Sequence, residues 1–249
     1  MFGTPPKPFV HQDAVSKSLH FTYGQLQSRM LLARPDELVL DYTRTMMGFL
    51  LVNPQPRRIA MVGLGGGSLA KYCHKHLPQA ELTVVEIDPQ VVALRREFQV
   101  PDDGPRFRVL VEDGAQFVQR AHSQAFDVLL VDGFDHHGQS PQLCTQAFYS
   151  QCQRVLAPGG LLVVNLHQEP AEFARYSQRL RAAFGTEPLE MPTLRVGNSV
   201  LFARKDVPLP LRDISRRANG WCAETDGHPQ LQPEFLRMGW ALGDPALLD

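Results

Sequence analysis

Two carboxylates three residues apart, Asp132 and Asp135, stand in the segment Val131-Asp132-Gly133-Phe134-Asp135-His136-His137-Gly138, just after an apolar run that reads as a buried strand. Such a pair beside an aromatic ring suits a cationic amine, one carboxylate anchoring it and the other orienting or deprotonating its nucleophilic nitrogen. Loop capping is the plainer use of the same residues. Upstream, Gly63-Leu64-Gly65-Gly66-Gly67-Ser68 joins another apolar run to a helical pattern. Glycine there lets backbone N–H groups approach a ligand at the positive end of a helix. Any tight strand-to-helix turn wants glycine, so the turn gains weight only from the acidic strand ends downstream of it. The next apolar run ends in Val85-Glu86-Ile87-Asp88, roughly 20 positions on, where the Glu86 carboxylate can take both hydroxyls of a ribose. The run after that ends in Glu112-Asp113-Gly114. Asp113 can accept from an adenine amino group, or cap a helix starting at Gly114, and neither role excludes the other. His136 and His137 are adjacent and point in different directions, with no third ligand at a metal-binding spacing, so no metal is expected.

These residues need a scaffold that brings successive strand ends together. From residue 57 to 205 the chain alternates short apolar runs (57–64, 81–88, 106–113, 126–134, 160–166, then a pair near 188–192 and 198–204) with amphipathic stretches at 68–77, 89–98, 114–121, 143–156 and 170–184. Strand-helix units of this spacing pack around a parallel sheet, with ligands outside the carboxyl ends of the strands. Seven mostly parallel strands closed by an antiparallel hairpin are the pattern of a Rossmann-like α/β doubly wound fold of the AdoMet-methyltransferase type, expected over residues 53–205. Residues 1–52 read as a short β-hairpin turning at Gly24 plus a helix that shares Leu40, Met46, Met47, Leu50 and Leu51 on one side, a lid or dimer segment. Residues 206–249 read as a helical or irregular appendage, with helices near 211–219 and 234–242.

Composition narrows the partners. Of 249 residues 43% are apolar, enough for a sizeable core, and 26 acidic residues against 25 basic ones leave a net charge of -1. No global field favours nucleic acid or an anionic membrane. Four cysteines lack zinc-site spacing and read as reduced thiols. With no apolar run of about eighteen residues and no secretory leader pattern, a cytoplasmic protein is expected.

The succession VGLGGGSL, VEID, VEDGAQF, FDVLLVDGFD and LCTQAFYSQCQRVLAPGGLLVVNL resembles the spermidine synthase (polyamine aminopropyltransferase) family over roughly residues 25 to 205. The resemblance implies decarboxylated AdoMet as co-substrate over Gly63, Gly65 and Gly67, with its ribose on Glu86 and its adenine near Asp113 and Gly114. Asp132 falls at the position of the family's catalytic aspartate and Asp135 at that of its amine-anchoring partner. Gln27 resembles a residue touching the cofactor, and Tyr42 one touching the amine. A small-molecule amine would displace methylthioadenosine without a metal, and family members associate through N-terminal strands, so a homodimer is the expectation. Three departures stand out. Gly66 occupies the place of an aspartate that holds the aminopropyl arm, which is expected to leave room for the carboxylate of intact AdoMet. His136 replaces a proline. Leu194-Arg195 replaces an aromatic that binds the diamine, and a cation there would repel a dicationic substrate. An AdoMet-dependent methyltransferase on the same scaffold, and a non-catalytic ligand-binding or partner module, are the alternatives these departures raise.

Overall fold

The computed structural model describes residues 7–135, 138–194, 197–222 and 226–243, with the side chains of Gln25 and Asp135 outside that set. The N-terminal part is a three-stranded antiparallel sheet, β1 (Phe9–Gln12), β2 (Ser16–Thr22) and β3 (Gln25–Leu31). The expected hairpin turning at Gly24 is β2 and β3; the Pro-rich start adds a third strand that the alternation in residues 18–30 does not reveal. A short helix, α1 (Asp41–Met46), then runs on as a 3-10 turn over Met47–Leu51.

The central domain follows in strand-helix order: β4 (Arg58–Val62), α2 (Ser68–His76), β5 (Glu81–Glu86), α3 (Pro89–Ala93), β6 (Phe107–Val111), α4 (Gly114–Arg120) and β7 (Phe126–Val131). After the small pair β8 (Phe134–Asp135) and β9 (Gly138–Gln139) come α5 (Gln146–Val155), β10 (Leu156–His167), α6 (Pro170–Phe184), β11 (Leu189–Pro192) and β12 (Asn198–Arg204). The strands form a seven-stranded sheet in the order β11-β12-β10-β7-β4-β5-β6. β12 runs antiparallel to both neighbours, while β10, β7, β4, β5 and β6 are mutually parallel. This is the Rossmann-like AdoMet-methyltransferase-type fold expected from the sequence. Chain order reverses between β4 and β7, which places the ligand crevice at their carboxyl ends.

Alternation along the strands divides the core. Ile59, Met61, Val128, Leu130, Leu161 and Val163 pack on one face with α2, the N-terminal part and the C-terminal helices; Ala60, Val62, Leu129, Val131, Leu162 and Val164 pack on the other with α4, α5 and α6. Helix starts are set locally. Asp88 caps α3 ahead of Pro89, Asp113 caps α4 through the N–H groups of Ala115 and Gln116, and Thr145 caps α5 through Phe148 N–H. The helix expected over 89–98 stops at Ala93; the chain then winds through turns to Gln99 at φ 55 and brings Val100 onto Gly67. The appendage contains α7 (Leu211–Asn219) and α8 (Gln232–Leu242), which pack on each other and reach α1.

Candidate active site

A cavity of about 490 Å³ opens at the carboxyl ends of β4, β5, β6 and β7, and residues of β3 and α1 complete its wall. On one side lies the Gly-rich turn. Gly63 has φ 98, and a Cβ there would sit 2.2 Å from the Asp132 carbonyl oxygen, so only glycine lets the ends of β4 and β7 come this close. Gly65 (φ 51) lines the cavity beside it. The Glu86 carboxylate accepts from Leu64 N–H at 2.9 Å on one oxygen and from Asp88 N–H at 3.0 Å on the other. Gly65 N–H also approaches this carboxylate, and of its four lone-pair sites one remains for a ribose hydroxyl. Burial pushes the Glu86 carboxyl up despite those N–H groups. Asp113 caps α4 through Oδ1 alone, at 2.8 and 3.0 Å, and lines the cavity as well. Gly114 also lines it, and a Cβ there would meet Val62 Cγ1 at 2.3 Å.

Packing constrains two further glycines of this turn. Gly67 does not line the cavity; it starts α2 in the left-handed region (φ 68), and its missing Cβ makes way for Val100 Cγ2, 2.3 Å from where that Cβ would be. A Cβ at Gly66 would be 2.6 Å from Ser28 Oγ and 3.0 Å from Phe98 Cδ1, so a side chain there requires Ser28 to move. Ser28, from β3, faces Ser68 Oγ at 3.2 Å, both hydroxyls lining the cavity with Gln27.

The opposite side is organised around Asp132. Its Oδ1 accepts from Asn165 Nδ2 at 2.9 Å, and Asn165 Oδ1 accepts in turn from Asn198 Nδ2 at 2.8 Å. The Tyr42 phenol lies close enough to Asp132 for the two groups to perturb each other. Burial holds the Tyr42 phenol well above its ordinary range, so it stays protonated. Burial likewise raises the Asp132 carboxyl, against the pull of Asn165 and Tyr42, and the nearby Glu86 charge adds to the rise. Asp41, Glu86, Asp113 and Asp132 all line the cavity, and no lysine or arginine does among the described residues. Carboxylates so desolvated favour a cationic ligand.

The Asp135 side chain, His136 and Arg195 lie outside the described residues, while Leu194 is exposed and does not line the cavity. Sequence reasoning missed Asn165, Asn198, Asp41, Ser28 and His167. Asn165, 1% exposed within an otherwise apolar strand, is the one with a readable signal. His167, tilted against Phe134 at 4.6 Å between centroids and with its imidazole pKa lowered by burial, lines the cavity beyond Asn165. Among the described residues no group of three or more His, Cys, Asp or Glu could hold a metal ion, and no helix is long and apolar enough to cross a membrane.

Glu86→Gln tests the ribose side. The amide turns one acceptor into a donor facing a backbone N–H, a loss of about 1–3 kcal/mol. Binding of an adenosyl sulfonium compound should weaken by roughly 10- to 100-fold in calorimetry; unchanged affinity would remove Glu86 from the site.

Fold and cavity together define a Rossmann-like α/β protein with an acidic pocket at the carboxyl ends of its parallel strands. The model of the spermine/spermidine synthase domain matches residues 39–186. A polyamine aminopropyltransferase of Chromobacterium violaceum is 37% identical over 204 residues, 82% of this chain and 78% of that protein. A probable spermidine synthase of Corynebacterium glutamicum superposes with a TM-score of 0.69 at 24% identity, covering 86% of this chain and 84% of that one. Human methyltransferase-like protein 13 in complex with SAH has the same fold, with a TM-score of 0.62 at 22% identity over 79% of this chain and 92% of that one. The chain belongs to the spermine/spermidine synthase family. Its reaction is aminopropyl transfer in polyamine biosynthesis, onto an amine substrate.

Proposed function

We propose that the donor is decarboxylated AdoMet, that the acceptor is a small aliphatic amine, and that Asp132 is the catalytic base. The observation that carries this reading is the desolvated Asp132 carboxylate, held by Asn165 beside Tyr42 in the same cavity as Glu86. In this reading Glu86 takes the ribose, Asp113 and Gly114 take the adenine, Gly63 and Gly65 let the nucleoside lie close to the turn, and Gln27 flanks the aliphatic arm. Tyr42 and Asp135 hold the amine. The nitrogen attacks the propyl carbon next to sulfur in line with the C–S bond. The ammonium first gives a proton to Asp132; the neutral nitrogen then forms the N–C bond, the C–S electron pair goes to sulfur, methylthioadenosine leaves, and the positive charge remains on the product nitrogen. An ammonium with a pKa near that of lysine, about 10, must first lose a proton, and a carboxylate whose own pKa is raised narrows that gap. The sulfonium is already a good leaving group, so no metal is required. Alignment of the two reactants supplies the rest.

The methyl-transfer alternative draws on space left by the absent side chain at Gly66; Ser28 and Phe98 lie close to where that side chain would start, which favours the decarboxylated donor. The same reading assigns the protein to the cytoplasm, gives nucleic acid and membranes no part in its chemistry, and assigns self-association as a homodimer to the N-terminal sheet. Incubation with decarboxylated AdoMet and 1,4-diaminobutane should release methylthioadenosine in step with the aminopropylated amine. Adenosylhomocysteine formed from AdoMet, with no methylthioadenosine from its decarboxylated form, would overturn the proposal.

A further inference from the structure

α1 is too short to hold its own shape. It has six residues, and Leu40 at its N-cap makes no side-chain hydrogen bond, whereas isolated helices below about 12 residues are marginal in water. Its placement must come from what packs against it, yet it carries Asp41 and Tyr42 into the cavity wall. Strands β12 and β10 support it from the sheet side, and the C-terminal appendage adds specific polar contacts. Glu234 of α8 is 2% exposed and accepts from Thr45 Oγ1 at 2.5 Å, one helical turn along from Tyr42. Arg237 donates to the same carboxylate at 2.5 and 3.0 Å. Leu38 N–H, at the entry to α1, donates to Gln230 Oε1 at 2.9 Å. At the exit, Gly48 is covered by Met238, whose Cε would lie 2.6 Å from a Cβ at that position. The helix is thus contacted at its entry, middle and exit by one short stretch of chain, residues 230–238. A carboxylate is costly to bury where apolar packing would serve; satisfied by three donors, it fixes a single geometry.

We propose that residues 230–238 are a positioning clamp for the amine side of the site: Glu234, oriented by Arg237, holds Thr45 and thereby places Tyr42 beside Asp132. The proposal rests on Tyr42 and Asp132 being amine-side residues. Glu86, Asp113 and the Gly-rich turn are placed by β4, β5 and β6, so the clamp governs the amine and not the nucleoside.

The test uses the full chain. Thr45→Val keeps the volume and removes the hydroxyl, Thr45→Ser keeps the hydroxyl, and Glu234→Gln keeps an acceptor for Thr45 while losing the charge that holds Arg237. Steady-state kinetics with decarboxylated AdoMet and 1,4-diaminobutane are read beside calorimetric binding of decarboxylated AdoMet. Thr45→Val should lower kcat/KM for the diamine about tenfold while nucleoside affinity stays within about twofold, and Thr45→Ser should restore it. Diamine kinetics like the wild type, or parallel loss of diamine and nucleoside affinity, overturn the clamp. If Thr45→Val does not fold, Glu234→Gln must show the same split, and a uniform loss or none overturns the proposal equally. Tyr42→Phe, measured alongside, separates the two layers: no effect on the diamine refutes the amine-side reading itself, whereas an effect there with a silent Thr45→Val refutes the clamp alone.

Discussion

Asp132→Asn is expected to lower kcat by about 10²- to 10⁴-fold, the span over which a positioned base contributes, while the affinity for decarboxylated AdoMet stays within about threefold. The substitution is nearly isosteric, and the new amide can still accept from Asn165 Nδ2, so the wall of the cavity should persist. The wild-type pH profile should rise with pH through a carboxyl pKa above the ordinary aspartate range, because the base works only once deprotonated and burial raises that group. Stability should move the other way. A carboxyl whose folded pKa lies above its unfolded value binds its proton more tightly in the native state, so between those two values stability falls as pH rises. The penalty is complete above the folded pKa and absent below the unfolded value, about 3.9. Asp132→Asn cannot ionise, so at pH 7 its Tm should equal or exceed that of the wild type, and the two should converge below about pH 4. A variant that melts much lower at pH 7, or keeps its turnover, would show that Asp132 is a structural cap and not a base.

Gly66→Asp should be the most damaging single change on the nucleoside side. It would restore the family's residue into a space where a Cβ meets Ser28 Oγ at 2.6 Å, Ser28 Cβ at 2.9 Å and Phe98 Cδ1 at 3.0 Å. Overpacking costs about 1–3 kcal/mol, and a carboxylate at a buried position adds its own desolvation. At about 2–4 °C per kcal/mol for a chain of this size, Tm should fall by roughly 6–12 °C. Ser28→Gly in the same chain removes the obstructing side chain and should return at least half of that loss. The double variant should then prefer decarboxylated AdoMet over AdoMet by about tenfold more than the wild type, or 1.4 kcal/mol. If Gly66→Asp alone melts like the wild type, Ser28 can yield, and this position does have room for a carboxylate.

The residues legible in the sequence are those whose signals are local. The Gly-rich turn, Glu86, Asp113 and Asp132 each sit at the end of a strand whose apolar run is bounded by recognisable turn chemistry, and the parallel order then brings those ends to one rim. Gln27 and Tyr42 are read through the family likeness, and both line the cavity. Asn165 and Asn198 are harder, because each is an ordinary polar residue near a strand end until β12 pairs antiparallel with β10 and sets Asn165 opposite Val200 and His167 opposite Asn198. That register is a property of tertiary pairing. Gly67 reads as a ligand glycine from the turn alone; the approach of Val100, which its missing Cβ admits, is not legible locally. The space at Gly66 escapes the sequence for a related reason. Its occupant, Ser28, comes from a different sheet nearly 40 residues earlier, and no spacing rule reports such a neighbour. The third N-terminal strand, β1, hides in a Pro-rich stretch without alternation.

The hydrogen bond from Thr45 to Glu234 joins residues 189 apart in sequence. At translation rates of about 5–20 residues per second, the helix bearing Tyr42 leaves the ribosome roughly 10–40 s before the carboxylate that seats it. The nucleoside wall, complete once β7 has paired with β4, is assembled from chain made well before that point. Biosynthesis thus finishes the half of the pocket that holds the leaving group first and the half that selects the nucleophile last.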